Sequence, residues 1–109
     1  MMLPDLKVFL ATEHADMRKS FNGLAALVKV AMGKDVFHGE LFVFFNRKAD
    51  TVRILWWDRN GFCIWTKRLE KGKFRRPQIA GKAATLRLHE LTLLLEGIDL
   101  TDKRRLAAI

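Results

Sequence analysis

The chain has 109 residues, of which 50% are hydrophobic and 29% are charged, and its 20 Lys and Arg against 12 Asp and Glu give a formal net charge of +8. That length suits a single domain over residues 1–109, and the apolar content excludes a disordered basic tail, which would have too little hydrophobic surface to bury. The longest apolar runs, such as Leu41–Phe45, are far shorter than the roughly 20 residues of a membrane-spanning helix, so we expect no membrane span.

The first third of the chain predicts a strand followed by a helix. Over residues 6–11 the larger aliphatic side chains alternate, so that every second residue shares one face of a strand. Asp16 is placed to accept the amide hydrogens of a first helical turn, which predicts a helix from Met17. Gly33 is placed to end it. The apolar stripe of this helix, with spacings of three and four, comprises Met17, Phe21, Leu24, Ala25, Val28, Ala31 and Met32.

The middle of the chain predicts three antiparallel strands. The runs Leu41–Phe45, 52–57 and 62–69 are short, aromatic and β-branched. Residues 47–50 form the turn after the first of them. Between the last two lies the segment 58–61, whose final residues Asn and Gly tolerate positive φ, and this favours a tight hairpin.

The last third predicts a loop and a second helix. Residues 75–85 are mostly polar and small, and we expect a mobile loop there. Leucines recur at helical spacing over 88–96, and Gly97 follows as a stop, although Arg87 stands where a capping Ser, Thr or Asp is usual. The predicted fold class is α+β, a small antiparallel β-meander of about three to four strands with two helices packed on one of its faces.

Three stretches of the chain resemble a known bacterial family. They are the segment 16–28, which contains DMRK, Phe21 and GLAALV, the run LFVFFNRKADTVRILWWDRNGFCIWTKRLEKGKF over 41–74, and LLLEGID over 93–99. Together they are similar to the accessory protein of insertion sequence 66 family transposons, often called TnpB, over about residues 8–99. The resemblance implies a role in transposition beside a separate, larger transposase, and it leaves the molecular activity open.

Positive charge supports the first of three functional hypotheses, a non-catalytic accessory protein that contacts DNA. Basic side chains attract a phosphate backbone without any sequence code. No helix-turn-helix pattern is evident, so base readout is not assigned. The alternative that the charge only keeps a small domain soluble stays open. The predicted DNA-binding residues are Arg47, Lys48, Arg53, Lys67, Arg68, Lys71, Lys73, Arg75 and Arg76.

Aromatic residues support the second hypothesis, a protein-interaction module that docks on the transposase without binding DNA directly. Adjacent Trp56 and Trp57 must face opposite sides of one strand, which leaves one of them for a contact surface. Which tryptophan is exposed and the oligomeric state stay open, as do core packing and base stacking as alternative roles. The predicted partner-binding residues are Trp56, Trp57, Trp65 and Phe74.

An enzyme is the third hypothesis. Asp16, Asp58, Glu70 and Glu96 could hold the magnesium ions of a nuclease, but each is explained as a cap, a turn residue or the end of an element. Cys63 lies in an apolar run, and neither it nor the three histidines show zinc-ligand spacing. The sequence therefore predicts no catalytic residue, metal or cofactor. The N-terminus does not read as a secretory signal, so we expect a cytoplasmic protein.

Overall fold

The computed structural model describes residues 6–77 and 81–97. Within these ranges the chain has the α+β class that the sequence predicts, with its two helices, but its sheet is larger. The elements in chain order are β1 (Val8–Ala11), α1 (Phe21–Met32), a short 3-10 helix (Val36–His38), β2 (Leu41–Phe45), β3 (Thr51–Asp58), β4 (Gly61–Arg68), β5 (Ala83–Leu86) and α2 (Leu88–Leu95).

The sheet has five strands in the order β4-β3-β2-β1-β5. Strands β1 and β2 are parallel, because α1 carries the chain back across the sheet between them, and the other neighbours are antiparallel. The predicted antiparallel meander of three to four strands is therefore corrected to a mixed sheet of five. Strand β5 lies partly inside the predicted loop 75–85, of which residues 78–80 fall outside the described residues.

The two helices cover opposite faces of the sheet, so the expectation that both pack on one face is wrong. The physical reason is that the central strand β2 is buried on both sides, with Phe42 and Phe44 toward α1 and Val43 and Phe45 toward α2. On the first face these rings meet Leu24, Val28 and Met32 of α1. On the second face they meet Leu91 and Leu94 of α2.

The helix ends differ in part from the sequence prediction. Helix α1 begins at Phe21, four residues after the predicted start, because the Asp16 carboxylate accepts the backbone N–H of Arg18 at 2.9 Å in a separate turn. Gly33, with φ of 66°, ends α1 as predicted. At the start of α2 the backbone N–H of Arg87 donates to Glu90 Oε1 at 2.9 Å, so the carboxylate on the third helical residue stabilises the helix end.

The tight hairpin between β3 and β4 is confirmed, with Asp58 paired to Gly61 across a turn of two residues. Positive φ, however, is found at Arg59, at 54°, and not at Asn60 or Gly61. No helix within residues 6–77 and 81–97 is long and apolar enough to cross a membrane.

Candidate nucleic-acid interface

Two segments that are distant in sequence meet at one end of the sheet. The β2–β3 turn, residues 46–50, is joined to the segment that follows β4, residues 69–74. The Leu69 N–H donates to the Asp50 carbonyl oxygen at 2.8 Å, and the Phe74 N–H donates to the Ala49 carbonyl oxygen at 2.7 Å. The Phe74 ring is 3% exposed and lies 5.5 Å from the Phe45 ring. Basic residues of both segments are therefore held at the same end of the molecule.

We call the exposed basic residues at this end the basic cluster, and it comprises Arg47, Lys48, Arg68, Lys71 and Lys73. Two carboxylates accompany them. Glu70 lies at the limit of ion pairing, with its Oε1 3.9 Å from Arg68 Nη2, and both side chains are largely exposed. The Asp50 carboxylate is held within its own turn. Within this group five basic side chains outnumber two carboxylates, so its net charge is positive.

The turn itself is ordered by Asn46. Its Oδ1 accepts the backbone N–H groups of Asp50 and Thr51, both at 3.1 Å, and its Nδ2 donates to Asp50 Oδ1 at 2.6 Å. The Asn46 amide, together with the hydroxyl of Thr51, lowers the pKa of Asp50 below its ordinary value. These bonds fix the backbone from which Arg47 and Lys48 project into solvent.

Four of the nine predicted DNA-binding residues lie outside the basic cluster, and Arg53 and Lys67 are two of them. Arg53 lies on the α1 face, where its Nη1 donates to the Lys19 carbonyl oxygen at 2.6 Å. Lys67 lies on the α2 face, where its Nζ donates to the Leu95 carbonyl oxygen at 3.0 Å. The expectation that Arg53, Lys67 and Arg68 converge on one surface is wrong for Lys67, because adjacent strand residues project to opposite faces. Arg53 shares the face of Arg68, but its guanidinium is bonded to the Lys19 carbonyl oxygen.

Arg75 and Arg76 follow the cluster in sequence and differ in exposure. Arg75 is exposed. Arg76 is half-buried, and its Nη1 is buried without a hydrogen-bond partner among the described residues. Only Arg75 therefore presents an open guanidinium to solvent.

The four predicted partner-binding aromatics are divided between surface and core. Trp56 and Trp57 do face opposite sides of β3, and both are half-buried. Trp65 is the most exposed tryptophan, at 41%. Phe74 is corrected to a core residue: its ring fills the space beneath the segment 69–74, so it cannot form part of a surface anchor.

Phe37 is an exposed aromatic residue that the sequence does not predict as part of a contact surface. Phe37, in the 3-10 helix, is 57% exposed and lies with its ring centroid 5.1 Å from Trp57 and 5.8 Å from Phe62. Trp57 and Phe62 are themselves 4.9 Å apart. The signal that could have found this helix is Asp35, whose carboxylate accepts the Phe37 N–H at 3.0 Å as a cap. The three rings form an aromatic surface at the hairpin end of the sheet.

The carboxylates weighed for a nuclease do not gather. Within residues 6–77 and 81–97 no group of three His, Cys, Asp or Glu side chains is placed to hold a metal ion. Asp16 is instead bound by Arg18, whose Nη2 lies 2.7 Å from Asp16 Oδ2. Hydrogen bonds from the Arg18 side chain and backbone lower the pKa of Asp16 to about 2.

Comparison with known proteins adds a family to this geometry. The family model described as IS66 Orf2 like protein matches residues 6–105. Two proteins of Sinorhizobium fredii, y4jC and y4hO, both described as uncharacterized, are also similar. The first is 38% identical over 100 residues, covering 92% of this chain and 86% of the relative. The second is 39% identical over 101 residues, covering 90% and 88%. No solved structure matches.

Proposed function

This chain belongs to the family of IS66 Orf2-like proteins, whose place is that of an accessory protein in transposition, and on that premise we propose that it contacts DNA through the basic cluster. The contact is electrostatic and is made to phosphates. It requires neither a catalytic residue nor a metal ion.

The observation that carries the proposal is the joining of two segments by the bonds from Leu69 to Asp50 and from Phe74 to Ala49. Without them the turn that carries Arg47 and Lys48 would not be held against the segment that carries Lys71 and Lys73. With these two bonds, the four basic side chains project from backbone segments that are fixed relative to each other. A fixed array loses less conformational entropy on binding phosphates than separate flexible lysines do.

The charges at this end are available to a polyanion. Glu70 approaches Arg68 only at 3.9 Å between exposed groups, and such pairs contribute little. Asp50 is occupied by Asn46 and Thr51 and points into its own turn. Each phosphate that the cluster contacts releases condensed counterions, so the affinity should fall steeply with salt.

The test compares two double variants of equal charge. Lys71→Ala with Lys73→Ala removes two members of the cluster. Lys7→Ala with Lys29→Ala removes two exposed lysines elsewhere: Lys7 precedes β1, at the opposite end of the sheet, and Lys29 lies in the last turn of α1. Binding to a fluorescein-labelled duplex is followed by anisotropy across a salt series.

We expect the cluster variant to bind more weakly and to lose about two units from the slope of log affinity against log salt, one for each lost phosphate contact. The Lys7 and Lys29 variant should keep most of its slope. Equal losses in both variants would mean that net charge alone drives binding, and the assignment to the cluster would be abandoned.

A second candidate function is docking on the transposase, and it is favoured by the aromatic surface of Phe37, Trp57 and Phe62. An aromatic ring that is 57% exposed and packed against two others offers apolar area at low entropic cost, as interface hot spots do. Phe37→Ala should then abolish co-purification with the transposase while leaving DNA affinity unchanged. Loss of DNA affinity in that variant would instead point to base stacking.

A further inference from the structure

Strand β4 forms one edge of the sheet and is the longer of the two edge strands that the structure describes. It spans the eight residues Gly61–Arg68 and, in the part of the chain that the structure describes, pairs only with β3. The opposite edge is β5, which has four residues. Natural sheets blunt such edges with short strands, bulges or a covering segment. The edge at β5 is short, whereas the edge at β4 is long and continuous.

The register identifies which backbone groups of β4 are free. The Leu69 N–H donates to the Asp50 carbonyl oxygen, and in an antiparallel ladder every second residue along the strand repeats that orientation. The polar groups of residues 61, 63, 65 and 67 therefore point to β3. Those of Phe62, Ile64, Thr66 and Arg68 point outward. Among the described residues, no bond from outside the sheet reaches these four.

The side chains along this edge do not repel a partner strand at its centre. Ile64 is half-buried, Thr66 is exposed and uncharged, and Trp65 is 41% exposed. Basic residues occur only at one end, as Lys67 and Arg68. The strand is thus apolar at its hairpin end and basic at its other end. In an antiparallel pair of two such strands, the basic end of each lies beside the apolar end of the other, so the positive charges are kept apart.

We propose that β4 pairs with β4 of a second copy of this chain, antiparallel about a two-fold axis at Trp65, to make one continuous sheet. In an antiparallel ladder, a residue whose backbone groups point outward must lie directly opposite another such residue of the second copy. Near the middle of β4 this requirement is met when Ile64, Trp65 or Thr66 lies on the two-fold axis. With Trp65 on the axis, residues 62–68 of one copy lie opposite residues 62–68 of the other, and about eight interstrand hydrogen bonds form. With Ile64 on the axis, about six form.

Charge placement favours the same register. Arg68 of one copy lies opposite Phe62 of the other, on the α1 face, where a guanidinium can rest on a ring. Lys67 lies opposite Cys63, so no two like charges are directly opposed. On the α2 face the two Trp65 rings meet across the axis, covering the most exposed tryptophan of each copy. Because the β5 edges are short, the assembly closes as a dimer.

The first experiment measures the dimer dissociation constant by sedimentation equilibrium for two variants. Thr66→Pro removes one outward N–H from each copy, and proline is tolerated on an edge strand when its nitrogen faces solvent. Thr66→Ala removes the side chain and keeps that N–H. We expect Thr66→Pro to raise the dissociation constant by about tenfold or more, and Thr66→Ala to leave it nearly unchanged. Unfolding midpoints verify that both variants fold.

Salt separates this proposal from DNA binding. Two copies that each carry +8 repel one another, so added salt should strengthen the dimer while it weakens DNA binding. A protein that binds DNA but stays monomeric at every concentration and salt overturns the dimer alone. A monomer in which the outward amides are protected from hydrogen exchange also overturns it, because a segment of the same chain then covers the edge.

Cross-linking tests the register. In Trp65→Cys with Cys63→Ser, the two new thiols lie directly opposite one another, with Cα atoms about 4.5 Å apart, and mild oxidation should give a disulfide-linked dimer. In the parent chain the two Cys63 residues are about 14 Å apart and should not cross-link. A cross-link through Cys63 in the parent chain, with none through position 65, overturns the pairing about Trp65.

Discussion

Arg53 and Lys67 lie on opposite faces of the sheet, and each donates a hydrogen bond to a backbone carbonyl oxygen beside the helix on its own face. Arg53 Nη1 is 2.6 Å from the Lys19 oxygen, just before α1, and Lys67 Nζ is 3.0 Å from the Leu95 oxygen, at the end of α2. The last carbonyls of a helix lack partners and carry partial negative charge. Lys67 thus stabilises the end of α2, and Arg53 attaches the segment that precedes α1 to the sheet.

This arrangement predicts that Lys67 matters for stability more than for DNA. Lys67→Ala removes the partner of the Leu95 carbonyl oxygen, and we expect the free energy of unfolding to fall by about 1 kcal/mol. Its DNA affinity should fall no further than that of Lys7→Ala, which removes an exposed lysine outside the cluster. Denaturant unfolding and anisotropy measure the two quantities. A stable variant with a strongly reduced affinity would return Lys67 to the DNA interface.

Phe74 should couple stability to the basic cluster. Its ring is 3% exposed in the core on the α2 side, so Phe74→Ala should lower the free energy of unfolding by about 3–5 kcal/mol. The segment 69–74 would lose its apolar attachment to the sheet, and Lys71 and Lys73 would lose their fixed positions.

Phe74→Leu is the control, since it keeps most of the volume and should cost about 1 kcal/mol. We expect DNA affinity to decrease in the order parent, Phe74→Leu, Phe74→Ala, under conditions where all three are folded by circular dichroism. An unchanged affinity in folded Phe74→Ala would mean that ordering of this segment does not contribute to binding.

The β2–β3 turn should be sensitive to acid through Asp50. Hydrogen bonds from Asn46 and Thr51 lower its pKa in the folded state, so the unfolded chain binds more protons at low pH. The stabilisation from this carboxylate is complete above its ordinary pKa of about 3.9, and it is lost as the pH falls through the lower folded pKa.

Asp50→Asn removes the titrating group. The variant should be less stable than the parent at neutral pH, and its stability should change less between pH values above and below the ordinary Asp range. Unfolding midpoints across that range measure the difference. Parallel curves for parent and variant would show that Asp50 does not contribute to the acid dependence.

Local patterns in the sequence predicted the local structure. Gly33 ends α1, the segment 58–61 makes a tight hairpin, and alternation put Trp56 and Trp57 on opposite faces, because each depends on residues within a few positions of one another. Strand β5 has the sequence AATL, which carries little strand signal. It is a strand because Ala11 and Ala83 pair across the sheet, a contact between residues distant in sequence.

The candidate site was predicted in composition but not in arrangement. The cluster depends on the bond between Phe74 and Ala49 and on burial of Phe74 between the exposed residues Lys73 and Arg75. The hydrogen bonds of Arg53 and Lys67 can be predicted only when the face of the sheet that each helix covers is known. Neither feature follows from spacing along the chain.

The hairpin turn carries local strain that a single substitution should relieve. Arg59 has φ of 54°, and the backbone N–H of Asn60 donates to the Asp58 carbonyl oxygen across it, as in a γ-turn. A left-handed conformation costs a residue with a β-carbon roughly 1 kcal/mol. Arg59→Gly should therefore raise the free energy of unfolding by up to about 1 kcal/mol, less the entropy that glycine loses on folding.

Asn60→Gly is the matched control, because Asn60 is not at positive φ and glycine there should give no gain. Chemical denaturation of the two variants beside the parent measures the effect. If Asn60→Gly stabilises the chain and Arg59→Gly does not, the strain lies at the other turn residue.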